Sequence, residues 1–170
     1  MSIFNTEIYY MLPLVVMLSG CSSVGADEEL KGVKKVPVII KSHEMDYAYY
    51  PGKVAGAKQV VLSGDPHGGE MFTARAQWPK CYTNPPHWFS YDQTITVISG
   101  TLNLGFGDKI DKSKTTVLKA GDVAFIPAYT HEYAWAGDEV VFQLTAMGPR
   151  SLVYVNPEEI SKTSYSHTCP

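Results

Sequence analysis

The sequence predicts a single all-β domain, and three observations lead to this. From residue 36 onward the apolar runs are short and rich in Val, Ile, Thr, Tyr and Phe, which favour strands. Gly, Pro or Asp separates these runs, and none has the period of a long amphipathic helix. The length of 170 residues suits one domain with a real core. Many short strands in one domain indicate a barrel or a sandwich.

Turn residues divide this region into strands. The predicted strands cover residues 36–40, 59–62, 71–78, 94–99, 101–106, 115–118, 123–126, 132–135, 140–145 and 152–155. Two Ala-Gly-Asp tripeptides, at 120–122 and 136–138, lie between strands where glycine supplies the positive φ of a tight turn. Gly100 separates two further strands. Alternation in the second of these predicts a core face made of Leu102, Leu104 and Phe106.

Composition excludes one class of partner. Lys and Arg total 14 and Asp and Glu total 17, a balance too even to attract nucleic acid or another polyanion. We therefore expect no nucleic-acid partner.

The N-terminus is predicted to be a removable signal. The apolar run at 11–18 is far shorter than the ~20 residues of a transmembrane helix. Its last residue begins Leu18-Ser19-Gly20-Cys21, which resembles the bacterial lipobox, whose cysteine is acylated and becomes the first residue. The resemblance implies a signal at 1–20, a tether at 21–35 and lipidation of Cys21. The chain would then lie in the bacterial cell envelope, periplasm-facing or on the outer membrane; the other interpretation of the run is a hairpin strand.

The other two cysteines have a structural interpretation. Export would place Cys81 and Cys169 in an oxidising compartment, where a disulfide is possible and would hold the tail at 161–170. The sequence has no C-x-x-C spacing, so a structural zinc site is not suggested.

Two segments carry a recognisable motif. Residues 85–100, PPHWFSYDQTITVISG, resemble the first motif of the cupin superfamily, in which His, one residue, His, three residues, Glu, six residues and Gly follow in order. Residues 121–128, GDVAFIPA, resemble the start of the second motif, a Gly, five residues and Pro. The resemblance covers roughly 64–157. It implies a cupin, or double-stranded β-helix (jelly-roll), barrel over 36–160.

The resemblance also implies a metal site, and this sequence keeps only part of it. In metal-bearing cupins the motif residues bind iron, manganese, zinc, nickel or copper inside the barrel. His87 matches the first ligand, whereas Phe89 replaces the second His and Gln93 replaces Glu. The last ligand falls on Glu132 or its neighbour His131, and alternation allows only one of them to face inward. The possible ligands are therefore His87, Gln93 and either Glu132 or His131, and the absence of metal is equally plausible.

Aromatic residues suggest a different use of the barrel. Phe89, Tyr91 and Trp135 would line it with apolar surface, which leaves His87 and Gln93 to bond a small organic molecule.

Three hypotheses for function follow. The first is an envelope cupin that binds a small molecule in its barrel, with weak or absent metal binding. The second is a metal-dependent cupin enzyme, of dioxygenase or isomerase type, in which Tyr91 assists. The third is a structural surface lipoprotein whose barrel mediates homodimerisation.

Overall fold

The computed structural model describes residues 36–49, 55–158 and Ile160. Within them, the chain from Ile39 onward belongs to one compact unit. The strands are β1 (Ala48–Tyr49), β2 (Lys58–Ser63), β3 (Met71–Trp78), β4 (Thr83–Phe89), β5 (Gln93–Ser99), β6 (Thr101–Phe106), β7 (Thr116–Lys119), β8 (Val123–Ile126), β9 (Glu132–Ala136), β10 (Val140–Met147) and β11 (Leu152–Tyr154). Short 3-10 helices lie at Ser42–Glu44 and Lys112–Lys114. No helix among the described residues is long and apolar enough to cross a bilayer.

The strands form two antiparallel sheets. One has six strands in the order β1-β2-β3-β10-β5-β8, and the other has five in the order β11-β4-β9-β6-β7. Their inner faces enclose the core, which is built from apolar side chains of both sheets, including Phe72, Trp78, Ile95, Val97, Leu102, Leu104, Tyr82, Val140, Phe142 and Leu144. The predicted all-β jelly roll is confirmed.

Most strand predictions hold, one fails, and the prediction lacks β1 and β4. The strands at 71–78, 101–106 and 123–126 match the prediction. Residues 36–40 are not a strand; they are exposed, and Pro37 lacks the N–H that pairing needs. Strand β4 was not predicted, because Pro85 and Pro86 lie in its middle and proline is unusual inside a sheet.

The predicted core face of β6 is correct except at its end. Leu102 and Leu104 are buried, whereas Phe106 is 56% exposed. Phe106 is the last residue of the strand, beyond the core. Alternation gives the side of the sheet on which a residue lies, but not whether the barrel still covers that position.

Glycine is required at some of the predicted turns. Gly100 has a φ of 76°, and a Cβ there would lie 2.0 Å from the carbonyl oxygen of Glu139. Gly121 also has a positive φ. The prediction is wrong for Gly137, whose φ is not positive, so that turn does not depend on the freedom of glycine.

Candidate functional site

Three strands bring the polar motif residues together inside the barrel. His87 on β4 lies opposite Glu132 on β9 in the five-stranded sheet. Gln93 begins β5 in the six-stranded sheet and reaches Glu132 from across the interior. All three side chains are buried. The two sheets therefore meet at one polar cluster.

The orientation of His87 is fixed by hydrogen bonds on both ring nitrogens. Its Nδ1 lies 2.7 Å from the carbonyl oxygen of Pro85, to which it donates. With that proton on Nδ1, the other ring nitrogen, Nε2, can accept a hydrogen bond from Asn84 Nδ2, which lies 3.2 Å away. Asn84 in turn accepts from the hydroxyl of Tyr154 at 3.1 Å. A chain of bonds therefore runs from Tyr154 to the imidazole.

The irregular pairing of β4 makes this chain possible. Its register against β9 shifts between Asn84 and His87, where the two prolines lie. Regular alternation would send positions 84 and 87 to opposite faces, but here both are buried. Asn84 thus belongs to the cluster, although the regular alternation of a strand would place it on the opposite face from His87.

The carboxylate of Glu132 is only partly satisfied. Gln93 Nε2 donates to its Oε1 at 2.5 Å, and His87 Nε2 lies 3.4 Å from the same oxygen. Its Oε2 is buried and has no hydrogen-bond partner. Glu132 is only 3% exposed, so this oxygen lies in a medium where an unpaired polar atom is costly.

A small cavity adjoins the cluster. It offers about 30 Å³ to water, where one molecule needs roughly 10–15 Å³ measured this way. Its polar lining consists of His87, Gln93, Glu132, Asn84, Trp78 and Arg150, and its apolar lining of Phe89, Ile95, Leu102, Leu104, Ala134, Phe142 and Leu144. The cavity therefore has room for about two waters or one small functional group.

Of the three aromatic residues expected to line the barrel, one lines this cavity. Phe89 lines the cavity, and Tyr91 stacks on Phe89 with 5.1 Å between ring centroids. Trp135 does not line it; its ring lies under Lys112 Nζ at 4.8 Å. Adjacent strand residues face opposite ways, and in β9 Glu132 and Ala134 take the inner face, so Trp135 takes the outer one.

Of the two candidates for the last motif position, Glu132 faces the interior of the barrel and His131 does not. The side chain of His131 is 38% exposed, and its Nδ1 lies 2.5 Å from Asp108 Oδ1. It precedes β9 and is directed away from the cluster. His131 is therefore excluded from any site built on His87.

Sequence reasoning missed several residues of the cavity. Trp78, Asn84 and Arg150 line it, and Tyr154 supports Asn84 from β11. The ring of Trp78 packs against that of Tyr82 with a centroid distance of 4.6 Å. Burial raises the pKa of Tyr82 far above its ordinary value of 10.0, so its hydroxyl stays protonated. None of these residues belongs to a motif position that the sequence alone singles out.

The donor set does not match the metal centre that the resemblance implies. His87 Nε2 faces an amide N–H of Asn84, and Glu132 Oε1 faces an amide N–H of Gln93. His87 Nε2 and Glu132 Oε1 are thus already hydrogen-bonded, which leaves Glu132 Oε2 as the free oxygen, and Phe89 supplies no donor atom. No group of three or more His, Cys, Asp or Glu side chains suited to a metal occurs within the described part of the chain.

The cysteine and N-terminal predictions lie largely outside the described residues. Cys81 is disulfide-bonded. Cys169, the proposed partner, and Cys21, the proposed lipidation site, both fall in ranges that the structure does not describe. The pairing of Cys81 with Cys169, the signal and the tether stay predictions.

No family model and no curated protein matches the chain. Among solved structures, the polyketide cyclase RemF from Streptomyces resistomycificus matches at a TM-score of 0.62 and 16% identity, over 75% of this chain and 94% of that one. An RmlC-like cupin from Shewanella frigidimarina matches at 0.53 and 18%, over 66% and 91%.

A third solved structure agrees with these two. KdgF from Halomonas sp. matches at a TM-score of 0.52 and 18% identity, over 66% of this chain and 96% of that one. Identities this low carry information on the fold alone. The two sheets, the two motifs and these neighbours lead to one conclusion: the chain has the fold of the cupin superfamily.

Proposed function

We propose that this protein binds a small molecule inside its barrel, with His87, Gln93 and Glu132 as polar contacts and with weak or absent metal binding. The single observation that carries the proposal is the buried Glu132 oxygen without a partner beside the cavity. A bound molecule that donates a hydrogen bond to this oxygen would offset the cost of its burial.

Energetics support binding over a purely structural barrel. An unpaired buried carboxylate oxygen costs about 1–3 kcal/mol or more, and an apolar side chain in its place would avoid that cost. Unfavourable groups of this kind are found mainly where function requires them. A structural barrel would have no use for the cavity or for the unsatisfied oxygen.

The first experiment measures metal content. The purified chain, prepared without chelator, is analysed by plasma mass spectrometry before and after incubation with iron, manganese, zinc, nickel and copper salts. We expect metal well below one equivalent, with the same content in His87→Ala. The matched control is His131→Ala, which alters an imidazole outside the barrel. One equivalent of metal that is lost only in His87→Ala would contradict the proposal and favour the metal-dependent enzyme.

The second experiment tests binding directly. A panel of small alcohols, acids, amides and sugars is screened by its effect on the unfolding temperature. We expect stabilising compounds whose effect disappears in Glu132→Gln but persists in Glu139→Gln, where an exposed carboxylate bonded to Gln77 is changed instead. Stabilisation that survives in Glu132→Gln would place the ligand elsewhere and contradict the proposal.

We also propose that the protein is held in the bacterial envelope by lipid on Cys21. Palmitate labelling of the chain expressed in a bacterial host should be abolished in Cys21→Ser and retained in Ser22→Ala. Label that persists in Cys21→Ser would contradict the lipid anchor and leave the barrel proposal untouched.

A further inference from the structure

An exposed apolar segment, Val-Pro-Val-Ile-Ile at residues 36–40, precedes the barrel strands in the sequence. Val36, Val38 and Ile39 are 66%, 72% and 87% exposed. Valine and isoleucine favour strands, yet these residues belong to none. Lys41, which follows them, also has an extended backbone. The 36–40 segment therefore has the composition of a strand and pairs with no strand in the described part of the chain.

One edge of the barrel is also uncovered. β8 is the last strand of the six-stranded sheet, in which it pairs with β5. Among the described residues, the main-chain N–H and C=O groups on its other side face no strand, so a further strand can add there. Val123 and Phe125 of β8 are 58% and 63% exposed, and no charged residue interrupts the strand. β8 is therefore an open, apolar acceptor edge.

Basic residues flank the 36–40 segment. Lys34 and Lys35 precede it, and Lys41 follows it. The side chain of Lys41 is 64% exposed, with its Nζ 3.9 Å from Glu44. Like charges that meet across two strands are destabilising, whereas opposite charges are favourable. The edge that fits this segment therefore has acidic residues at its ends.

β8 has such residues at both ends. Asp122 precedes the strand, and Asp92 lies beside its other end, where its Oδ1 accepts from the N–H of Ala128 at 2.8 Å. Both aspartates are exposed. Residues 123–127 lie between these two ends and are as many as the residues of the 36–40 segment. Basic and acidic groups can therefore meet at both ends, whichever direction the added strand takes.

The other sheet edges fit less well. β7 ends at Lys119 and follows Lys112 and Lys114, so it has the same charge as the flanks of the 36–40 segment. β1 has two residues and β11 has three, which are too few to pair with five. Charge and length together select β8 as the acceptor.

We propose that residues 36–40 of one copy of this chain add as a strand to β8 of a second copy, and that the two copies exchange these strands reciprocally. Donor and acceptor belong to the same chain, so a two-fold arrangement satisfies both in each copy and closes as a dimer. Pro37 is compatible with this position, because an added strand becomes the new edge, where alternate N–H groups face solvent. The inference goes beyond ligand binding and does not depend on it.

The first test measures the mass of the purified chain by multi-angle light scattering over a range of concentrations. We expect a dimer. Val38→Asp in the added strand and Phe125→Asp in the acceptor edge should each raise the dissociation constant at least about tenfold, because each places a carboxylate in the contact. Matched controls are Val117→Asp and Phe106→Asp, at residues that are 50% and 56% exposed on β7 and β6. Both controls should leave the dimer unchanged.

A mixture of the two variants gives the sharper test. A homodimer of either variant loses both exchanged contacts, because every donor or every acceptor carries the change. A mixed dimer keeps one intact contact, between the unaltered segment of the Phe125→Asp chain and the unaltered edge of the Val38→Asp chain. We therefore expect the mixture to associate more tightly than either variant alone and less tightly than the unaltered chain.

Three results would overturn the inference. A chain that stays monomeric at every concentration would mean that the 36–40 segment pairs with its own chain or with a different protein. A dimer that Val38→Asp leaves intact would be built on another face. A mixture no tighter than either variant would exclude reciprocal exchange. Near-ultraviolet circular dichroism checks folding, and Ile39→Asp or Val123→Asp replaces a variant that does not fold. None of these results bears on ligand binding, so the proposed function is tested separately.

Discussion

One close pair of imidazole and carboxylate, His87 with Glu132, lies inside the barrel, and another, His131 with Asp108, lies on its surface. His87 and Glu132 are 3.4 Å apart with side chains 4% exposed, whereas His131 and Asp108 are 2.5 Å apart with side chains 38% and 67% exposed. The surface pair is the shorter, but water screens it and competes for its atoms. The inner pair is longer, yet each member is bonded to further buried groups. The surroundings of each pair, rather than the distance between its atoms, should therefore decide which pair contributes more to the free energy of unfolding.

The largest expected effect comes from the inner histidine. His87→Ala should lower the free energy of unfolding by about 2–4 kcal/mol, because it leaves a cavity and removes the partners of Asn84 and of the Pro85 carbonyl. Urea unfolding followed by fluorescence measures the change. A loss below about 1 kcal/mol would mean that the inner pair matters no more than the surface pair.

A smaller effect is expected from Tyr154, whose hydroxyl bonds Asn84 and not the imidazole itself. Tyr154→Phe removes the hydroxyl that donates to Asn84 and should cost about 1 kcal/mol. The same change in an Asn84→Ala background should cost less, because the acceptor is already gone. Additive losses in the double variant would show that the two side chains stabilise the fold independently.

The surface histidine provides the contrast. His131→Ala should change the free energy of unfolding by no more than about 0.5 kcal/mol, since exposed ion pairs contribute little. High salt should reduce even this difference. A loss similar to that of His87→Ala would overturn the contrast between the two pairs.

The smallest effect concerns an exposed carboxylate in the loop before β7. Hydrogen bonding from the Ser113 side chain, together with Lys114, lowers the pKa of Asp111 below its ordinary value of 3.8. The contribution of a group whose folded pKa is lowered is complete above its unfolded pKa and is lost as pH falls through the folded value. Asp111→Asn should therefore differ slightly from the unaltered chain at neutral pH and converge with it below pH 3.8. Acid titration of stability measures this, and a difference that grows toward low pH would contradict it.

The fold could be predicted more completely than the site. Turn glycines and two motifs were enough for the barrel, because period-2 patterns and turns are local properties of the sequence. His87 and Gln93 were found from motif spacing alone. Alternation shows that His131 and Glu132 face opposite ways, but it does not show which of them faces the interior. That choice needed the position of β9 in the sheet.

The remaining site residues depend on long-range geometry. Asn84 is hidden by the irregularity in β4, since alternation would place it on the opposite face from His87. Trp78 and Arg150 reach the cavity from β3 and from the turn before β11. Trp135 was predicted to lie inside the barrel as part of its aromatic lining. Because its neighbours Glu132 and Ala134 face the interior, Trp135 lies on the outer face of β9. Such contacts depend on how strands align in three dimensions, which residue spacing does not record.

The two prolines of β4 have a consequence for how this site could change over time. His87 is oriented by a main-chain carbonyl, and substitutions at Asn84, Gln93 or Glu132 would leave that bond in place. Each partner of the imidazole could therefore be exchanged separately while the ring continues to present the same nitrogen to the barrel. A lineage carrying this arrangement could pass from one ligand to another by single amino-acid steps, without an intermediate in which the histidine has lost its orientation.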